Sequence, residues 1–185
     1  MDELYIKKVL DGDTDAFRYF VHQYKDRAYT IALSVLKNEF DARDAVQEAY
    51  IIAFRKLDKF RGRSTFSTWF FRIVINESLK LSARLKKEKP AGMDSSVVPE
   101  TGHADIQDTL SRGERRYFID RAMQNIPSNE ALALTLFYIQ ENSLEEIREL
   151  TGWTVSKVKV LLHRGRKGMY QELNLLLSTE KKTLY

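Results

Sequence analysis

The spacing of apolar residues constrains the fold of this 185-residue chain more than any other feature. From residue 15 to 36, apolar side chains recur every three or four places, which is the period of a helix with one buried face. The same period returns from 41 to about 60, from Trp69 to about Lys87, and in shorter runs after residue 114. No stretch alternates in the manner of a strand, and no internal repeat is present. The sequence therefore predicts an all-α protein.

Residues with known preferences for helix ends mark several predicted boundaries. Asp41 is a suitable N-cap for the second helix, Gly62 is a suitable terminator for it, and the Ser/Thr residues 64–68 precede the third helix. Farther along, the pair Ile126-Pro127 interrupts the helical pattern, and Ser128 is expected to cap the helix that follows.

Proline and glycine divide the chain into two parts. Residues 86–112 hold two of the three prolines and two of the eight glycines, with little apolar periodicity. This composition predicts a flexible linker, placed at residues 89–111. We therefore expect two small helical domains, at 1–88 and 112–185.

The net charge of +4 alternates in sign along the chain. Residues 1–54 carry 7 basic and 10 acidic side chains, whereas residues 55–89 carry 11 and 3. Residues 90–152 carry 5 and 11, and residues 153–185 carry 7 and 2. Two basic segments separated by an acidic one suggest two contacts with a polyanion such as nucleic acid, although chance fluctuation of surface charge gives the same totals.

Several classes of protein are disfavoured by what the sequence lacks. It has no cysteine, so disulfides and thiolate metal sites are excluded. The first residues lack the basic start and apolar run of a secretory signal, and no apolar stretch is long enough to cross a bilayer. The three histidines lie in separate segments and form no metal-ligand or catalytic pattern. We expect a cytoplasmic protein with no cofactor, no metal and no catalytic residue.

A helix-turn-helix pattern lies near the end of the chain. Ser143 and Glu146 have the spacing of a capping box, Gly152 falls in the turn, and a second helix begins at about Thr154 with Val158 and Leu162 on its inner face. This second helix is basic, so it can contact phosphates while its first turn reaches base edges. The residues expected at base edges are Val155, Ser156, Lys157 and Lys159. The alternative is an ordinary helical hairpin with a solvated basic face.

The segment FRGRSTFSTWFFRIVIN, residues 60–76, mixes five aromatic residues with three arginines. Unstacked bases pack on aromatic rings and guanidinium planes, while cations follow the backbone, so the segment favours single-stranded nucleic acid as a ligand. Trp69, Arg72, Asn76 and Lys80 fall on one helical face. Core packing is the alternative for Trp69, Phe70 and Phe71, and we expect it for two of the three.

Three motifs, taken in order, give the chain a family resemblance. They are DARDAVQEAYIIAFRKLDKF, FRGRSTFSTWFFRIVINESLK and NSLEEIRELTGWTVSKVKVLLHRGR. They resemble regions 2.2, 2.3–2.4 and 4.2 of bacterial sigma factors of the extracytoplasmic-function group. The resemblance implies a sigma domain 2 helical bundle and a sigma domain 4 with a helix-turn-helix, in a factor that binds core RNA polymerase, recognises promoter DNA and assists strand opening.

The resemblance also implies roles for individual residues and names partners. The positions that bind core polymerase are Asp41, Asp44, Gln47 and Glu48. The positions that hold the minus-ten single strand are Arg61, Arg63, Ser64, Thr65, Phe66, Ser67, Thr68, Arg72, Asn76 and Lys80. The positions that read the minus-thirty-five duplex are Lys159, His163, Arg164 and Arg166, beside the four base-edge residues above. The implied partners are the β′ clamp helices and β flap of polymerase, promoter DNA and an anti-sigma factor, with no membrane insertion.

The chain departs from the family pattern in the second helix of the helix-turn-helix, here called the reading helix. Gly165 replaces the usual alanine, and Val160-Leu161 replace a common Ser-Arg, so a phosphate contact at 161 is not expected. Ser156 and Lys157 replace a frequent Gly-Thr. The rival interpretation is a dimeric helix-turn-helix repressor or activator, which would explain residues 143–170 and leave the pattern of residues 41–76 unexplained. A third interpretation is an enzyme.

Overall fold

A computed structural model describes residues 1–88 and 112–183, and the predicted linker at 89–111 lies outside the described residues. The described residues form α-helices with no strand, so the all-α prediction is confirmed. The helices are α1 Asp2–Leu10, α2 Arg18–Leu36, α3 Glu39–Arg55, α4 Phe66–Glu88, α5 Arg112–Asn125, α6 Ser128–Leu134, α7 Leu144–Thr151 and α8 Val155–Thr183. Short 3₁₀ turns cover Thr14–Phe17 and Leu57–Lys59, and a π-helical turn covers Thr135–Ile139.

In residues 1–88, here called the N-terminal unit, α2, α3 and α4 pack against one another. Helix α3 presents a row of small side chains to its neighbours, and this row allows close approach of the backbones. Its members, all buried, are Ala42, Ala45, Ala49 and Ala53. Larger side chains fill the space between α2 and α4, where the rings of Phe20 and Phe66 lie 4.1 Å apart.

Helix α1 is an element that sequence analysis did not predict. It packs through Tyr5, whose ring stacks on Tyr19 at 3.9 Å, and through Asp2, which accepts hydrogen bonds from Tyr19 at 3.0 Å and Tyr24 at 2.6 Å. Burial, followed by the contact with Asp2, raises the pKa of Tyr24 above its ordinary value. A nine-residue helix with no buried residue of its own leaves little periodic signal to detect.

Two predicted helix caps are wrong. The N-cap of α3 is Asn38, whose side chain accepts the N–H of Asp41 at 3.0 Å, so Asp41 lies inside the first turn. Pro127 occupies the N-cap position of α6, and the Ser128 hydroxyl instead donates to the carbonyl of Val35 at 2.8 Å. Helix α3 also ends earlier than expected, at Arg55.

In residues 112–183, here called the C-terminal unit, α5, α6 and α7 all pack on α8. The contact between α6 and α8 is close at Gly165, where an added Cβ would lie 3.0 Å from the side chain of Leu134 and 3.3 Å from the Glu130 carbonyl. The family's usual alanine would therefore need Leu134 to shift in this chain.

The two units touch each other, a contact that sequence analysis did not predict. Helix α2 packs against α6, and α4 packs against α7. The buried side chains of both units form one continuous apolar cluster, from Phe17 to Leu162.

Candidate nucleic-acid interface

Two acidic residues of α3, Asp44 and Glu48, point away from its alanine row. Asp44, Gln47 and Glu48 are exposed, and Asp41 is half-buried. Within the described residues, neither Asp44 nor Glu48 has a basic side chain within ion-pair distance. These four positions are here called the α3 face. Asp44 and Glu48 present negative charge to solvent on it, with no ion-pair partner among the described residues.

The loop before α4 turns at Gly62, whose φ of 66° lies in the left-handed region that glycine tolerates. Arg61 and Arg63 flank it and are exposed. The Thr65 hydroxyl accepts the N–H of Thr68 at 3.2 Å, which makes Thr65 the cap of α4. The same hydroxyl lies 2.9 Å from the hydroxyls of Ser67 and Thr68. Thr65, Ser67 and Thr68 thus form one connected hydroxyl network, with Ser64 half-buried beside it.

Phe66 does not lie on the surface of this loop. It is 2% exposed, and its ring packs among Phe20, Tyr24 and Trp69 at centroid distances of 4.1, 5.8 and 5.6 Å. The implied role of Phe66 in holding the minus-ten single strand therefore has no support from direct exposure of its ring. Phe66 instead belongs to the aromatic core on which the loop packs.

The outer face of α4 carries Arg72, Asn76 and Lys80, all exposed. The inner face buries Phe70 at 0% and Phe71 at 3% exposure, so the expectation that two of the three aromatic residues belong to the core is confirmed. The third, Trp69, is half-buried against Phe60 at 5.3 Å and leaves part of its ring beside the outer face.

Helices α7 and α8 form the predicted helix-turn-helix. Both hydrogen bonds of the capping box are present: the Ser143 hydroxyl accepts the N–H of Glu146, and the Glu146 carboxylate accepts the N–H of Ser143. The Ser143 N–H and its hydroxyl both donate to this carboxylate and lower the pKa of Glu146. Helix α7 ends at Gly152 with a left-handed φ of 72°, and the Thr154 hydroxyl accepts the N–H of Lys157 at 3.2 Å to start α8. Buried Val158 anchors α8 in the core, as predicted.

The predicted reading residues project from one end of α8. All are exposed except Val155, which is half-buried; they are Val155, Ser156, Lys157, Lys159, His163, Arg164 and Arg166. Two of the cations are held by neighbouring aromatic residues. The Lys157 ammonium lies 5.1 Å from the centroid of Trp153, and Arg166 donates to the Tyr138 hydroxyl at 3.1 Å. These contacts orient positive charge along the outer surface of the helix.

No cluster of potential metal ligands occurs in the part of the chain that the structure describes. Among the same residues, no helix combines the length and apolar character needed to cross a membrane.

Comparison with known families identifies two matching segments. The family model described as Sigma-70 region 2 matches residues 20–88, and the one described as Sigma-70, region 4 matches residues 119–169. Together they cover most of the chain and leave residues 89–118 between them unmatched. The chain belongs to the sigma-70 family. Within that family it falls in the extracytoplasmic-function group, as the relatives show.

The relatives match over nearly their whole length. This sigma factor is 33% identical over 179 residues to the ECF RNA polymerase sigma factor SigW of Bacillus subtilis (strain 168), covering 91% of this chain and 94% of that protein. It is 27% identical over 184 residues to the ECF RNA polymerase sigma-E factor of Escherichia coli (strain K12), covering 95% and 96%. As a member of this group, it acts in the initiation of transcription.

Solved structures share the fold. The sigma factor RpoE of Bartonella quintana, solved with the anti-sigma factor NepR, superposes with a TM-score of 0.63 at 20% identity, covering 85% of this chain and 96% of that one. CnrH, solved with the cytosolic domain of CnrY, gives a TM-score of 0.61 at 21% identity, covering 96% and 97%.

Sequence analysis missed the way the reading helix meets the N-terminal unit. Leu161, noted only as a departure from the family pattern, is 8% exposed and lines a cleft of about 400 Å³ with Leu79 and Ala83 of α4. Arg164 lines the same cleft. The only signal in the sequence was an apolar residue at a position where a basic one is common.

Proposed function

We propose that the N-terminal unit serves as sigma domain 2 and residues 112–185 as sigma domain 4. In this assignment the protein binds core RNA polymerase, recognises the minus-ten and minus-thirty-five elements, and promotes opening of the promoter. The observation that carries the proposal is the presence of three exposed, chemically distinct surfaces, each within a segment that a sigma-70 family model matches.

The α3 face is proposed to bind the β′ clamp helices. Exposed carboxylates without ion-pair partners suit a basic protein surface and repel DNA phosphates. Asp44 and Glu48 lie one helical turn apart, so they can engage the same partner helix.

The loop from Arg61 to Thr68 and the outer face of α4 are proposed to hold the non-template single strand. The hydroxyl network supplies donors and acceptors with little bulk, which suits the edge of a flipped base. Arg61 and Arg63 are placed to hold flanking phosphates, and Arg72, Asn76 and Lys80 continue the track along α4. Trp69 offers the part of its ring that the core leaves open.

The first turns of α8 are proposed to enter the major groove of the minus-thirty-five element. Ser156 and Lys157 lie nearest to the helix start and can reach base edges, while Lys159, Arg164 and Arg166 contact phosphates. Because Ser156 and Lys157 depart from the family pattern, the preferred promoter sequence is expected to differ from that of relatives.

The remaining assignments follow from the family. The protein is proposed to act in the cytoplasm without catalytic chemistry of its own, to contact the β flap through domain 4, and to be controlled by an anti-sigma factor.

Transcription from a promoter library with purified core polymerase tests the proposal. Adding the protein should produce transcripts from a subset of promoters that share two upstream elements, whereas core alone should not. Specific duplex binding without any new transcript would contradict the proposal and favour the dimeric repressor.

A further inference from the structure

We propose that Tyr138 contacts DNA beside the minus-thirty-five surface, where its hydroxyl and the guanidinium of Arg166 hold one backbone phosphate together. This inference rests on the proposed function, because it adds a residue to the duplex-binding surface assigned there. Tyr138 precedes Ser143, where the helix-turn-helix begins, and sequence analysis assigned it no role.

A π-helical turn brings Tyr138 to the surface. Tyr138 follows Leu134 by four residues and Thr135 by three, and both of these are buried. A continuous α-helix would therefore place Tyr138 on the buried face. The turn at Thr135–Ile139 is wider, because the N–H of Gln140 donates to the Thr135 carbonyl at 2.9 Å, five residues back. Tyr138 is consequently 54% exposed, and turns of this kind are frequent at functional sites.

The Tyr138 hydroxyl has a proton available for a ligand. Arg166 donates to this hydroxyl at 3.1 Å. A phenolic oxygen that accepts one hydrogen bond keeps its own proton, which it can donate to another acceptor. The ring is held from the side by Phe137, whose ring packs edge-on at a centroid distance of 5.0 Å.

Arg166 likewise retains donors and charge for a ligand. Within the two described ranges of the chain, no carboxylate lies within ion-pair distance of Arg166. Its guanidinium has five N–H donors, and the bond to Tyr138 engages one nitrogen. Two neighbouring donor groups, one of them charged, suit an anion with several acceptor oxygens.

The position of the pair favours a phosphate over a base edge. In a helix-turn-helix, the N-terminal residues of the second helix reach the bases, and the preceding elements cross the DNA backbone. Arg166 lies three turns beyond Val155, the first residue of α8, and Tyr138 comes from an element before the motif. Both therefore lie where backbone contacts are expected.

Removing the hydroxyl alone tests the proposal. Tyr138→Phe keeps the ring at an exposed position, so the fold should remain intact. The assay is a salt titration of binding between the core-bound protein and a promoter recovered from the transcription library. We expect affinity to fall by about tenfold, because a hydrogen bond to a charged group is lost. The slope of log affinity against log salt should not change, since a phenol is neutral, whereas Arg166→Ala should lower it by about 0.9.

Tyr117→Phe is the matched control. Tyr117 is also exposed, and its ring centroid lies 5.8 Å from the guanidinium of Arg121. It belongs to α5, outside the helix-turn-helix and the π-helical turn. Loss of its hydroxyl should leave both affinity and slope at the parent values.

Neutral phosphate substitutions locate the contact. Single phosphates of the minus-thirty-five element are replaced by methylphosphonates, which carry no charge. At one position, the substitution should weaken parent binding and remove the affinity difference between parent and Tyr138→Phe. The same position should remove the difference between parent and Arg166→Ala. A residue with only a structural role would lose affinity equally at every position.

Three results would count against the proposal. Parent affinity in Tyr138→Phe, or a loss that no single methylphosphonate removes, would overturn it while the proposed function stands. A drop in salt slope as large as that of Arg166→Ala would also overturn it, because Tyr138 would then act only by positioning Arg166. If the parent protein directed no transcription with core polymerase, the proposed function would be wrong, and this inference with it.

Discussion

Lys159 offers a quantitative test of how α8 meets DNA. It is exposed on α8 and shares one helical face with His163 and Arg166, at spacings of four and three residues. If its ammonium neutralises one phosphate, Lys159→Ala should reduce the slope of log affinity against log salt by about 0.9. Between 50 and 200 mM salt, the affinity penalty of the substitution should then shrink by about 3.5-fold.

The assay is a salt titration of promoter binding by the core-bound protein, with parent and variant measured side by side. Contacts made by core polymerase are common to both proteins, so they cancel in the difference between slopes. Lys159→Arg keeps the charge and should keep the parent slope. Arg116→Ala removes an exposed cation from α5, away from the reading helix, and should also leave the slope unchanged.

Two results would refute the assignment. An unchanged slope for Lys159→Ala would show that this side chain faces solvent in the complex. An equal loss for Arg116→Ala would show that the salt dependence follows total charge instead of the reading helix.

Four further predictions follow from the structure. Reversing Asp44 and Glu48 to lysine should weaken binding to core polymerase while far-ultraviolet circular dichroism stays helical; unchanged core affinity would contradict the α3 assignment. Asn76→Ala should slow promoter opening, seen as lower permanganate reactivity of unpaired thymines, and equal reactivity at equal occupancy would contradict it. Phe66→Ala should lower the free energy of unfolding by about 3–5 kcal/mol. Phe66→Leu should lower it by less than about 1.5 kcal/mol, and this variant should still open promoters. Loss of promoter opening in a stably folded Phe66→Leu variant would indicate that the ring itself contacts the single strand. Burial lowers the pKa of Lys37 to about 8, below its unfolded value of 10.5. Between these two pH values the unfolded chain binds more protons than the folded chain, so the free energy of unfolding should rise from pH 8 towards 10.5. Lys37→Met should remove that rise in denaturant titrations, and an identical pH dependence in the variant would contradict the burial of this amine.

Local signals in the sequence were sufficient to predict interactions whose partners lie within a few residues of each other. The capping box of Ser143 and Glu146 was predicted and is confirmed, because its donors and acceptors all lie within four positions. The same reasoning chose the wrong cap at Asp41 and Ser128. In both places an earlier residue, Asn38 or Pro127, has the non-helical backbone conformation of the N-cap. Residue type alone does not determine which of several nearby residues takes that position.

Apolar periodicity identified buried faces without identifying their partners. Phe70 and Phe71 were expected in the core and are there, but Phe66 was assigned to the surface. Phe66 is the first residue of α4 and lies four residues before Phe70, so the two side chains share the buried face of the helix. Sequence analysis placed residues 61–68 in the loop, and the helical spacing was therefore not applied to Phe66.

Contacts between the units were beyond the reach of sequence analysis. Val35 and Ser128 are 93 positions apart, and Lys37 and Met123 are 86 positions apart. Nothing local distinguishes a serine that caps its own helix from one that donates to another unit. The proposed DNA surfaces were easier to find, because clustered charge and mixed aromatic residues are visible without knowing which elements pack together.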